Sequence, residues 1–234
     1  MKQQVSRLLK RYGYQISRPL SSTVMLLKHH RIDCVIDVGA NDGGFAMAIR
    51  RRGYTGRIIS FEPILDTYTT LERRSARDEN WTACRYALGN TRGDITINVS
   101  ANGAASSSVL PMLDACTDAE PMTHYVREEI VPLERLEDVF ASLNIRPASR
   151  IFLKIDAQGY EGPILDGAAS LFESGSIIGM QLELSLVPLY AGAITFDEGL
   201  AHAARLGMTL MRLEPEFDNP NTGQALQVDA VFFA

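Results

Sequence analysis

Short apolar runs alternate with wider-spaced apolar stripes along most of the chain, and that alternation predicts its elements. IDCVIDV (32–38) is too short for a helix between its turn signals and reads as a strand buried on both faces. Phe45, Ala48 and Ile49 then share one helical face. Arg50, Arg51 and Arg52 fall where the helix dipole favours cations, and Gly53 closes the end. RIISF (57–61) reads as a second strand, and Pro63 is expected at the first helical position ahead of Ile64, Leu65, Tyr68 and Leu71. A third strand is expected within WTACRYAL (81–88).

From Gly89 to about Arg127 the alternation breaks. DITINV favours β-structure, SANGAASSS is polar, and the stretch around PMLDACTDAEPMTHY is irregular; an interruption this long in a compact domain points to function. Leu136, Val139, Phe140 and Leu143 restore a helical stripe. RIFLKID (150–156) reads as a fourth buried strand, Pro163 opens a helix through Ile164 and Leu165, and IIGMQLEL (177–184) supplies a fifth strand. Asp197 is expected to cap a helix through Leu200, Ala203 and Ala204 that ends near Gly207. MTLMRL and LQVDAVFFA read as two tail strands joined by a polar link containing DNPNTG, placed to pair directly. Such alternation implies an α/β fold, with a mostly parallel sheet, helices on both faces and a ligand at the strands' carboxyl ends.

Composition narrows the setting. With 234 residues, 46% of them hydrophobic, the chain suffices for one sizeable core. A net charge of −5 gives no general reason to expect a nucleic-acid partner. Cys34, Cys84 and Cys116 are odd in number and widely spaced, so neither a disulfide framework nor a zinc site is indicated, and the expectation is reduced thiols in a cytoplasmic protein. Residues 1–32 hold seven Lys and Arg and no acid, leaving −12 on the remainder. Within that segment Val5, Leu8, Leu9 and Tyr12 fall at helical spacing. The division expected is a basic helical arm over 1–30, then one domain over 31–234 interrupted at about 89–130. The arm would rest on the acidic body, on a second subunit or on the inner face of a membrane.

Candidate chemistry starts at the exit of the first strand, in VIDVGANDGG (35–44). A glycine turn there brings main-chain N–H groups close to a ligand, yet several nucleotide folds share it. Glu62, 23 residues after Gly39 at the end of the second strand, sits where an acid accepts from both ribose hydroxyls of an adenosine cofactor. Asp37 is a second acid by the same turn. Carboxylates repel the phosphates of a dinucleotide and tolerate a sulfonium and an ammonium, so S-adenosylmethionine suits this turn better than NAD.

VIDVGANDGGFA, SFEP, VPLERLEDVF, LKIDAQGYEGPILDGA and QLELS, in that order, resemble the FkbM-type S-adenosylmethionine-dependent methyltransferases over about residues 30–234. The Lys-x-Asp followed by Gly and Glu is the most specific part. Gln158 departs from it, since the family more often has an acid before that glycine. The resemblance implies a Rossmann-like class I methyltransferase fold, with a seven-stranded sheet whose last strand is antiparallel. It also implies methylation of a hydroxyl on a sugar, glycolipid or natural-product acceptor, with S-adenosylhomocysteine as product. Carried over, Asp37, Gly39, Asn41 and Gly43 would surround the methionine part of the cofactor, Glu62 would hold the ribose, and Ala87 and Leu88 would flank the adenine.

Transfer to a hydroxyl calls for a general base or a metal. Lys154 and Asp156 point to one side of the fourth strand and reach its carboxyl end beside the cofactor, Glu161 follows on the next turn, and Glu183 ends the fifth strand. These groups read either as a proton-accepting site, with Asp156 foremost and Lys154 orienting or catalytic, or as a divalent-metal site of Asp156, Glu161 and Glu183. His124 in the interruption is a further candidate base, and Ser106, Ser107 and Ser108 suit a polyol. Two readings compete: an NAD-dependent oxidoreductase, and a non-catalytic binding module that keeps the fold.

Overall fold

The computed structural model of the protein describes residues 23–146 and 148–234. Among these, ten strands form two sheets. In chain order they are β1 (Cys34–Val38), β2 (Arg57–Phe61), β3 (Trp81–Cys84), β4 (Ala87–Leu88), β5 (Gly93–Ser100), β6 (Tyr125–Glu134), β7 (Ile151–Ile155), β8 (Ile177–Ser185), β9 (Thr209–Asp218) and β10 (Ala225–Phe233). The main sheet has the order β3-β2-β1-β7-β8-β10-β9. The first five of these strands run parallel, and β10 is antiparallel to both neighbours, so the tail hairpin inserts the last strand beside β8 and leaves β9 at the edge.

Period-two alternation explains the two cores. Val35, Ile58, Phe152, Val231 and Phe233 point to one face and meet α1 (Thr23–His29), α2 (Gly44–Arg51) and α3 (Leu65–Ser75). Ile36, Ile59, Leu153, Ile155 and Phe232 point to the other. There they meet α5 (Leu136–Val139), α6 (Glu161–Asp166), α7 (Ala169–Glu173) and α8 (Phe196–Arg205), α4 (Asp114–Ala119) lying in the interruption. Strands buried on both sides are mostly apolar, interrupted only at positions such as Asp37, Lys154 and Glu183, which is why they were readable as runs.

Several boundaries differ from the sequence reading. α3 starts at Leu65 and α6 at Glu161, so Pro63 lies outside its helix and Pro163 inside the first turn, where a missing N–H costs nothing. Thr195, not Asp197, caps α8: its hydroxyl accepts from Glu198 N while its own N–H donates to the Glu198 carboxylate at 2.8 Å. The expected third strand is split, because Arg85 and Tyr86 carry the chain from β3 out of the main sheet into β4.

The interruption is itself built. β4, β6 and β5 form a three-stranded sheet, with Ala87 paired to Leu133 and β5 antiparallel to β6. Ile97, Val99 and Val131 pack it onto Ile64, directly beyond the end of β2. Of the expected arm, the helix through Val5, Leu8, Leu9 and Tyr12 lies outside the described residues, while α1 buries Val24 and Leu27 against the sheet. Among the described residues no helix is long and apolar enough to cross a membrane.

Candidate active site

The turn after β1 is set by packing. Gly39 has φ +71°, and a Cβ there would overlap the carbonyl oxygen of Asp156 at the exit of β7. At Gly43, with φ +88°, a Cβ would lie 2.7 Å from the Trp81 ring. Asn41 takes φ 48°, a conformation that asparagine tolerates better than most residues. The main-chain donors of the turn are all used within the protein. Gly39 N and Ala40 N donate to Phe61 O, Asn41 N to Glu62, Asp42 N to Asn41 Oδ1, and Gly43 N to Ala40 O. The expectation that bare N–H groups face a ligand here is therefore corrected: the glycines let two strand exits touch, and no N–H from 39 to 43 is left over.

Glu62 is the consequence of that turn. Its Oε2 accepts from Asn41 N and its Oε1 from Ile64 N, both at 2.8 Å, and the Thr67 side chain also favours its ionised form, so the carboxylate is fixed with acceptor capacity still to spare. Burial pushes its pKa up to about 7, against the pull of these donors.

A polar chain runs beneath and beside it. Strand register places Asp37 between Ser60 and Lys154. Asp37 is wholly buried; its Oδ2 accepts from Ser60 Oγ at 3.1 Å, and its Oδ1 lies 3.5 Å from Lys154 Nζ. Lys154 also donates to Asp156 Oδ2 at 3.1 Å and to Gly39 O at 3.4 Å. Burial alone would weaken its ammonium, but Asp156 and Asp37 hold its pKa above the ordinary lysine value. Gln158, at φ 51°, spans the next gap: Nε2 donates to Asp156 Oδ1 at 2.9 Å and to Glu183 Oε2 at 2.7 Å, and Oε1 accepts from Tyr190 OH at 2.6 Å. The residue that departs from the family pattern is thus a neutral bridge between two carboxylates. Gln227 Nε2 donates to the same Glu183 oxygen at 2.8 Å. Burial raises the Glu183 pKa well above the ordinary range, and Asp156, Glu161 and Asp229 raise it further against Lys154.

These groups border a cavity of about 520 Å³ at the carboxyl ends of β1, β2, β7 and β8, where ligands bind in open parallel sheets. Gly39, Asn41, Glu62, Ala87, Leu88 and Asp156 all lie in its wall, as do Glu183 and Gln158. Ser107, Ser108 and Asn102 close it from the interruption, where Ser108 Oγ donates to Gln158 O at 2.7 Å.

Other sequence candidates lie elsewhere. Asp37 and Gly43 are outside the wall, beneath the turn and behind it. Lys154 touches the site only through Asp156 and Gly39 O. His124 is exposed and away from the cavity, its Nδ1 2.8 Å from Pro121 O, so it is not poised over an acceptor. Asp156, Glu161 and Glu183 do not converge on one ion: Glu161 accepts from Ala157 N and Gly159 N, and among the described residues no group of three His, Cys, Asp or Glu is arranged to hold a metal. Sequence reasoning missed Gln227, Tyr190 and Glu216, which come from later strands and loops and carry no local motif, and Tyr160, which lies within the quoted motif but has no charge to single it out.

A second cavity, about 610 Å³, opens at the amino ends of β1 and β2 between Lys28, Arg31, Arg57 and Arg146. Lys28 lies in the last turn of α1, where a cation answers the helix dipole. This end of the sheet brings none of the carboxylate chain together.

Among solved structures, methyltransferase FkbM from Methylobacillus flagellatus KT is 15% identical at a TM-score of 0.49, over 87% of this chain and 44% of that one. This chain therefore spans less than half the length of that relative. Magnesium protoporphyrin IX methyltransferase from Synechocystis PCC 6803, with bound S-adenosylmethionine, is 8% identical at a TM-score of 0.48, over 90% of this chain and 76% of that one. A methyltransferase from Aquifex aeolicus is 11% identical at a TM-score of 0.44, over 90% and 88%. No curated protein matches. The model of the methyltransferase FkbM domain matches residues 37–210, from the exit of β1 to the start of β9, and the chain belongs to that family.

Proposed function

We propose that the protein transfers a methyl group from S-adenosylmethionine to a hydroxyl of a sugar or natural-product acceptor. One observation carries this reading: Glu62, tethered by two main-chain donors and with acceptor capacity to spare, faces the cavity beside a turn whose N–H groups from 39 to 43 are all used. A ribose needs an acceptor for two hydroxyls, which Glu62 supplies; a dinucleotide also needs N–H donors for its pyrophosphate, which residues 39–43 do not offer. Leu88, Ile97 and Ile164 add apolar wall for a flat base.

Bound S-adenosylmethionine supplies a methyl carbon on a sulfonium; as the carbon–oxygen bond forms, the carbon–sulfur bond breaks and its electron pair stays on sulfur. The protein's part is positional and basic. Glu183 Oε2 is held by two amides, and its other oxygen takes no hydrogen bond from the described residues, leaving it to accept the hydroxyl proton. Its raised pKa suits that task better than that of an ordinary carboxylate. Asp156, braced by Lys154 and Gln158, is a positioning residue in this scheme.

Calorimetry with S-adenosylmethionine, S-adenosylhomocysteine and NAD tests the reading; NAD bound tightly with neither adenosyl ligand bound refutes it. Glu62→Ala is expected to weaken the donor by about 1.5 kcal/mol or more, the scale of hydrogen bonds to a charged group. Donor affinity should also fall as pH drops from 8 to 6. Burial raises the Glu62 pKa to about 7 and the carboxylate accepts best when ionised, so the loss over that whole interval is about tenfold at most. In Glu62→Gln that dependence should weaken, leaving the part due to Glu183 and its neighbours. Glu183→Gln should slow transfer about 100-fold or more while donor affinity, read by the same calorimetry, stays within about threefold.

A further inference from the structure

We infer that the acceptor of this site is a hydroxyl compound that carries a basic nitrogen and no phosphate or carboxylate. The inference rests on the methyl-transfer reading and narrows it. The cavity wall holds Asp42, Glu62, Asp156, Glu183 and Glu216, and among the described residues it holds no lysine, arginine or histidine. Asp42 is answered from outside the wall by Arg74 at 2.7 Å, and Asp156 from beneath it by Lys154 at 3.1 Å. Lys154 already serves the buried Asp37 as well.

Among the described residues Glu62, Glu183 and Glu216 form no salt bridge, and Lys154 reaches Glu183 and Glu216 only through its longer-range field. Glu183 makes the point most clearly, because the protein meets it with two neutral amides, Gln158 and Gln227, that fill the places a lysine or arginine would take. Asp229, paired in register with Glu183 on β10, adds further negative charge behind it. Glu62 and Glu183 are buried, and burial of carboxylates without counter-ions is unfavourable until a ligand brings the missing charge; Glu216, at an exposed position, adds negative charge at the rim. A donor with one net positive charge answers one of the three. The remaining excess lies toward Glu183 and Glu216, away from Glu62, and an ammonium on the acceptor meets it. A phosphate or carboxylate there adds to the repulsion, so an acceptor still attached to a nucleoside diphosphate is disfavoured.

The test uses donor analogues that reach toward the acceptor side, so the acceptor need not be known. S-Adenosylhomocysteine is compared with its analogue bearing an amine where the methyl is transferred, and S-adenosylmethionine with its carboxymethyl sulfonium counterpart. The amine is expected to bind about tenfold tighter than its partner and the carboxylate about tenfold weaker than its own, the size expected for one charge near partly buried carboxylates. Both differences should shrink below about threefold in Glu183→Gln/Glu216→Gln, and Glu216→Gln alone, at an exposed position, should move them the same way. A carboxylate analogue bound as tightly as S-adenosylmethionine, or differences unchanged in these variants, overturns the inference. If neither S-adenosylmethionine nor S-adenosylhomocysteine binds, the donor reading itself has failed and this one falls with it.

Discussion

Lys154→Met is expected to cost about 3–5 kcal/mol of folding stability at pH 8, measured by urea unfolding. The substitution is nearly isosteric, so the loss is electrostatic: Asp37, fully buried, keeps one hydroxyl donor and loses its cation. Asp37 then has a folded pKa raised further above its unfolded value. Stability from such a group is complete below the unfolded pKa and is lost as pH rises through the folded one, so the deficit should shrink toward pH 5 and widen toward pH 8. Asp37→Asn in the Lys154→Met background should recover most of the loss. A deficit that does not change with pH would mean that Lys154 acts through its packed stem, not its charge.

Gly39→Ala should destabilise the protein by about 3 kcal/mol or more, through two separable causes. The left-handed backbone at φ +71° costs roughly 1–2 kcal/mol for any residue with a Cβ. The overlap with Asp156 O then forces the exits of β1 and β7 apart, and main chain yields less readily than a side-chain tip. Gly175→Ala separates the two, since it shares a φ of +69° but nothing lies within 4 Å of its Cβ; it should lose only the backbone part. Equal losses at both positions would show that the strand contact is unimportant. Spreading those exits also moves Asp156 relative to Glu62, so donor affinity in Gly39→Ala should fall even where the protein folds.

The elements that were legible in the sequence are those whose environment repeats along the chain. β1, β2, β7 and β8 are buried on both faces and therefore show as predominantly apolar runs, broken only by buried polar residues such as Asp37, Lys154 and Glu183. β6 was not legible, for a physical reason. It carries Pro132, which usually argues against a strand, and Ile130 is 72% exposed beside the buried Val131, so its alternation is confused by an outward apolar residue. Asp197 looked like a helix cap because it is a good one; Thr195 wins through its reciprocal bonds with Glu198.

By itself the sequence determined the order of the main sheet's strands along the chain, the glycine turn, and Glu62 at the end of the second strand, because each follows from local periodicity or from a residue type with few backbone options. Only the tertiary structure decided what those residues do. It consumed the N–H groups of the turn, put Asp37 under the floor, and closed Gln158, Glu183, Gln227 and Tyr190 into one hydrogen-bonded group across separations of up to 69 positions. Hydrogen-bond partners depend on register between strands distant in sequence, and no local pattern encodes which lone pair remains free once that register is set.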